Sequence, residues 1–230
     1  MTETLDPRLP GRIRRNAVAL LPAVVVALVA LLLLVGAPAA VPLLVGAAGW
    51  LVALALRQPV ALLASRRLDR ERAATVVGWF SGPAEELVRV VVVLLLVRSL
   101  EDALWAGFGW AAIEVLLVAV NTFAIASIMG KDDPKSVETR EILAAQGMVV
   151  PSSPLWGFLE RLSAFALHLG FTLALFAAPW LVLLTIPLHS AVNMLAVRGT
   201  KRSLPLTELG LAIAGAAVLA GGLALALAAG

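Results

Sequence analysis

The stretch Gly82–Val90, GPAEELVRV, decides how the chain folds. It sets two adjacent carboxylates, Glu85 and Glu86, and one guanidinium, Arg89, inside a run from Ala73 to Val97 that is otherwise mostly apolar. Read as a loop, it splits that run into two short helices. Read as part of a membrane span, it places three charges in hydrocarbon, where each costs roughly 2.5–3.5 kcal/mol on insertion scales unless it finds partners or water. The choice therefore rests on what the rest of the chain can offer at the same depth.

The rest of the chain is strongly apolar. Its 230 residues are 61% hydrophobic, against roughly 45–50% in soluble domains, and its mean hydropathy is +0.97. Several runs approach or exceed the ~18–20 apolar residues that cross a bilayer. There is no cysteine, which excludes disulfides, thiol catalysis and thiolate metal sites. No G-x-S-x-G nucleophile elbow is present. A pI near 10.2 would suggest nucleic acid in a soluble protein, but here the basic residues read as topology signals and no nucleic-acid partner is expected. The segment 1–16 carries Arg8, Arg12, Arg14 and Arg15 and precedes an apolar run, Ala17–Val35. Despite the APA at Ala37–Ala39, that run exceeds the ~7–15 residues of a signal-peptide core and reads as a retained first span.

Seven spans can be drawn: Ala17–Val35, Val41–Leu56, Ala73–Val97, Ala103–Met129, Leu155–Ala178, Pro179–Val197 and Leu206–Ala228. The polar segments between them are short. The expected architecture is an all-α polytopic transmembrane bundle, one domain over 1–230, with a candidate catalytic core at about 73–197. Of the 18 Lys and Arg residues, 15 fall before the first span or in alternate loops. That asymmetry predicts a multi-pass protein of the cytoplasmic membrane, with the N-terminal basic segment cytoplasmic and the C-terminus outside.

The ionisable groups inside the spans are Glu85, Glu86, Arg89, Glu114, Glu160, Arg161, His168 and His189, with Asn193 as a neutral companion. At ~1.5 Å per residue, Glu86 and Glu114 each lie roughly 17 Å from the outer end of their spans, and His168 and His189 each about 15 Å. Four helices thus place a polar group in one layer, and both histidines of the chain fall in it. His189 and Asn193, four apart in HSAVN, share a helix face, as do Arg161 and His168, seven apart. Glu160 reads as a neutraliser of Arg161.

Within GPAEELVRV, Gly82–Pro83 predicts a kink or break in the third span. A helix restarting there would put Glu85 and Glu86 in its first turn, near the positive end of its dipole. Arg89 lies within pairing reach of both, so one glutamate can pair with it while the other acts as a base. In GFGWAAIEV, Gly107–Val115, small residues suit close helix approach with Glu114 at the interface.

These same residues resemble the PrsW, YhfC and CAAX-protease-like (Abi/CPBP) superfamily of intramembrane metalloproteases. Glu85-Glu86-x-x-Arg89 resembles its first motif, with Arg where the PrsW form has Lys. GFGWAAIE resembles the glycine-rich second motif that ends in glutamate. ERLSAFALHLGFTLAL, with Glu160, Arg161 and His168, is most similar to the third motif of YhfC, and PLHSAVN is similar to the terminal H-x-x-x-N/D element. The four motifs, in order, span about half the chain. Trp110, Ala111 and Ala112 depart from the histidine and glycines common in the second motif of YhfC proteins.

The resemblance implies an endopeptidase acting on membrane-embedded or membrane-anchored proteins. Glu85, Glu86, Glu114, His168, His189 and Asn193 would form the catalytic set, with Arg89, Glu160 and Arg161 as counter-ions. Glu86, Glu114, His168 and His189 are the candidate ligands of one divalent metal, zinc being favoured; metal-free hydrolysis driven by glutamate fits the same residues. Two alternatives use the same polar layer: a non-catalytic scaffold, since the superfamily resembles the scaffold subunit of γ-secretase, and a proton-coupled transporter.

Overall fold

The apolar runs fold as helices because a helix satisfies its own backbone N–H and C=O groups where water is absent. The computed structural model describes residues 9–129, 131, 133–134, 136–138 and 153–229, and no strand occurs among them. Seven long helices follow in order: α1 Leu9–Leu34, α2 Ala40–Arg67, α3 Arg70–Leu96, α4 Leu100–Met129, α5 Pro154–Ala177, α6 Val182–Thr200 and α7 Leu204–Ala229. A 3₁₀ turn, Pro179–Leu181, joins α5 to α6, so the short boundary expected at Ala178–Pro179 is a tight corner. Six of the seven are long and apolar enough to cross a membrane; α3, with its charges, is the exception. The described part of the basic segment 1–16 is already helical, because α1 starts at Leu9. The expected site residues all lie within the described residues.

Helix ends are set locally. Asp69 caps α3 by accepting from the Arg72 N–H at 2.9 Å, and Ser153 caps α5 ahead of Pro154 in its first turn, both replacing lost backbone partners. At the other end of α3, Arg98 folds back to donate to the carbonyls of Leu94 and Leu95.

The expected break at Gly82–Pro83 does not occur. Helix α3 runs unbroken from Arg70 to Leu96 with Pro83 inside it, so Glu85 and Glu86 sit mid-helix, away from any dipole end. Proline has no N–H, which leaves the carbonyl four residues earlier, Trp79, without its helical partner. Ser190 of α6 supplies the missing donor, its Oγ giving a hydrogen bond to the Trp79 carbonyl at 2.7 Å. One turn along, Asn193 Nδ2 donates to Ser81 Oγ at 2.9 Å. Gly82 makes this crossing possible, since a Cβ there would collide with the Ile186 carbonyl and Ser190 Oγ. Gly82–Pro83 is thus where α6 docks on α3.

Helix α4 packs against α1, α2 and α5, whereas α3 packs against α2, α5 and α6. The α2–α4 crossing is backbone on backbone: a Cβ on Gly46 would strike the Ala106 carbonyl, and one on Gly109 the Leu43 carbonyl. Helix α7 seats on α5 in the same way through Gly222 and Gly170, as its small residues suggest. An apolar core built on Trp105, Phe108, Phe165, Leu173 and Val115 fills the space between these helices. Large side chains on the outer faces, such as Leu33, Leu94, Leu183 and Leu206, are exposed, as helices facing lipid require.

Candidate active site

Each helix contributes to the site through a stripe of one face. On α3 the buried residues Gly82, Glu85, Glu86, Arg89 and Val93 recur at helical spacing. On α2 the buried Gly46, Trp50 and Ala53 continue to Arg57, which the sequence reading assigns to a loop. Helix α4 brings Trp110 and Glu114, α5 brings Arg161, His168 and Thr172, and α6 brings His189 and Asn193. These stripes meet around a cavity of about 270 Å³ lined by Glu85, Glu114, His168, His189, Asn193 and Arg57, among others.

Glu86 does not line that cavity. It is 0% exposed, and its Oε1 accepts from Arg89 Nε at 3.1 Å and from His189 Nδ1 at 2.7 Å. Its Oε2 is buried without a hydrogen-bond partner among the described residues. Glu85, one residue earlier, faces the cavity instead. Its Oε2 accepts from Trp110 Nε1 at 3.1 Å and its Oε1 takes a long contact, 3.4 Å, from Arg57. The two adjacent glutamates therefore sit on different sides of the polar cluster.

Glu114 is held by three donors from two helices, α2 and α5. Arg161 donates to Oε1 at 3.0 Å, while Trp50 at 3.1 Å and His168 at 2.8 Å meet Oε2. Arg161 and His168, one face of α5, thus clamp a single carboxylate. Arg161 also pairs with Glu160, the neutralising role expected of that residue.

The hydrogen-bond partners place a proton on opposite nitrogens of the two imidazoles. A guanidinium only donates, so the 2.9 Å contact from Arg89 Nη2 makes His168 Nδ1 an acceptor. The proton of His168 is then on Nε2, pointing at Glu114. In His189 the carboxylate of Glu86 accepts at Nδ1, so that nitrogen carries a proton, and the ring lines the cavity. Nε2 lies 3.8 Å from Glu85 Oε2, beyond a direct hydrogen bond. Phe171 stacks on the His189 ring with centroids 5.3 Å apart and fixes its plane.

Every site residue expected from sequence is in or directly against this cluster, and the matched depths correspond to real contacts between α3, α4, α5 and α6. Four partners were not anticipated: Trp50, Arg57, Trp110 and Thr172. The seven-residue spacing of Trp50 and Arg57 puts them on one face, a signal hidden by ending the second span at Leu56. The atoms with metal-like spacing belong to Glu85, Glu114 and His168, within 4.8 Å of one another. Glu86 and His189, expected as ligands, are outside that group. Comparison with protein-family models, with curated proteins and with solved structures finds no match.

Proposed function

We propose that the chain is an intramembrane endopeptidase that hydrolyses peptide bonds of membrane-embedded or membrane-anchored proteins, as its resemblance to the PrsW, YhfC and CAAX-protease-like superfamily suggests. In this reading α3 is the seventh crossing: its 27 residues make a rod of roughly 40 Å, and its charges are turned inward. The N-terminus is cytoplasmic and the C-terminus outside the cytoplasmic membrane.

The observation that carries the proposal is the pairing of Glu85 and His189 across the cavity. Their nearest atoms are 3.8 Å apart, so a water beside them in the cavity can reach both. Hydrolysis needs such a water, a base to take its proton, and donors for the oxygen that becomes negative. In this reading His189 is the neutral Nδ1–H tautomer, oriented by Glu86 so that Nε2 meets that water, the role a carboxylate plays behind a catalytic imidazole. Glu85 and His189 then activate the water together. Arg57, with a side chain 24% exposed, and Asn193 line the same cavity and supply donors to the developing oxyanion.

The proposal is tested by expressing wild type and Glu85→Gln at equal membrane levels and comparing membrane peptides by quantitative mass spectrometry. Products present with wild type and absent with Glu85→Gln support hydrolysis. Unchanged peptides favour the scaffold reading, for which the specific support is that nearly every charged atom of the cluster already has a partner within the protein.

A further inference from the structure

The spacing of Glu85, Glu114 and His168 suits a divalent cation, but their electron pairs do not. Zinc binds an imidazole through the lone pair of a nitrogen that carries no proton. His168 has one such nitrogen, Nδ1, and Arg89 Nη2 occupies it at 2.9 Å. The nitrogen facing the carboxylates, Nε2, holds its proton toward Glu114 Oε2 at 2.8 Å. Exchanging the tautomer to free Nε2 would set the new Nδ1–H against an Arg89 N–H, two donors face to face.

Arg89 already contacts two of the three groups that a central cation would gather, His168 and Glu85. Its guanidinium meets Glu86 at 3.1 Å, Glu85 at 4.0 Å and Thr172 Oγ1 at 3.0 Å, and it lies over the Trp110 ring at 4.1 Å. The residue is 1% exposed, so this arrangement is not a surface option. The charges agree with it. Arg57, Arg89 and Arg161 already oppose Glu85, Glu86, Glu114 and Glu160, and a dication would leave the buried cluster with an excess of positive charge.

We infer that Arg89 occupies the place of a divalent cation in this cluster, and that its guanidinium keeps zinc out. The inference concerns the same site as the proposed hydrolysis, but its readout is metal binding, so each can fail without the other. Purified full-length protein, stripped with a chelator, is titrated with zinc alone against a chromophoric zinc indicator, for wild type, Arg89→Met, Arg89→Lys and the double variant Arg89→Met/His168→Ala. Histidine ¹⁵N shifts of the wild type are recorded with and without zinc.

Wild type is expected to show no zinc dependent on His168 and a His168 ring protonated at Nε2 whose signals zinc leaves unmoved. Arg89→Met is expected to gain about one equivalent, bound at least ~100-fold more tightly than by wild type and lost in the double variant. Arg89→Lys, which keeps the charge, should stay near wild type. Stoichiometric zinc on the wild type with a shift of the His168 ring overturns the inference, as does a folded Arg89→Met variant that gains none. The wild-type measurement decides the matter even if Arg89→Met does not fold.

Discussion

Glu85 and Glu86 are neighbours in sequence and identical in chemistry, yet their surroundings separate them. Glu86 is the buried counter-ion of Arg89 and the orienting partner of His189, whereas Glu85 borders the cavity. Two predictions follow from that difference. Glu86→Gln removes the carboxylate from a fully buried pair and should cost about 3–5 kcal/mol of stability, read as a lowered thermal midpoint in detergent. Glu85→Gln keeps an acceptor for Trp110 and should lower the midpoint much less, while reducing turnover by the ~10²–10⁴-fold typical of a lost general base. Equal destabilisation by the two substitutions would contradict the division of roles. The sequence could show that one glutamate pairs with Arg89. It could not show which, because helical spacing puts both within reach, and only the position of α6 selects Glu86.

At the scale of elements, the Gly-Pro step is a local signal whose outcome is set at long range: the helix does not break there. Pro83 does remove a helical hydrogen bond, but the donor that replaces it comes from Ser190, more than a hundred residues later, and no local pattern reveals that. Ser190→Ala should therefore orphan the Trp79 carbonyl and cost about 1–3 kcal/mol. Adding Pro83→Ala restores a backbone N–H to that carbonyl and should recover most of the loss, a coupling that a double-mutant cycle measures. Additive effects would mean that Ser190 is not the replacement donor. The α2–α4 crossing makes a second, independent case. Gly46→Ala drives a methyl into the Ala106 backbone and should destabilise by about 1–3 kcal/mol, while Gly210→Ala, with open space around it, should be near neutral in the same thermal assay.

At the scale of the whole molecule, the all-helical character and the convergence of four helices on one polar layer were readable from hydropathy and depth. What composition alone leaves open is whether α3 crosses, because the inward charges that make it a site also make it the least apolar of the seven. The cysteine-free sequence gives a direct check with single-cysteine variants and a membrane-impermeant thiol reagent. Arg70→Cys and Ser99→Cys flank α3, and labelling of Ser99→Cys from outside with Arg70→Cys reachable only from the cytoplasm is the expected pattern. Labelling of both from one side would remove α3 from the set of crossings. With the crossing established, the helices would enclose Glu85 and His189 within the bilayer, as the proposed hydrolysis requires. The most direct measurement is then the set of membrane-protein fragments produced in cells bearing wild type against cells bearing Glu85→Gln at matched membrane abundance. Fragments that vanish with Glu85→Gln are the predicted result, and an identical set from both would contradict hydrolysis at this site.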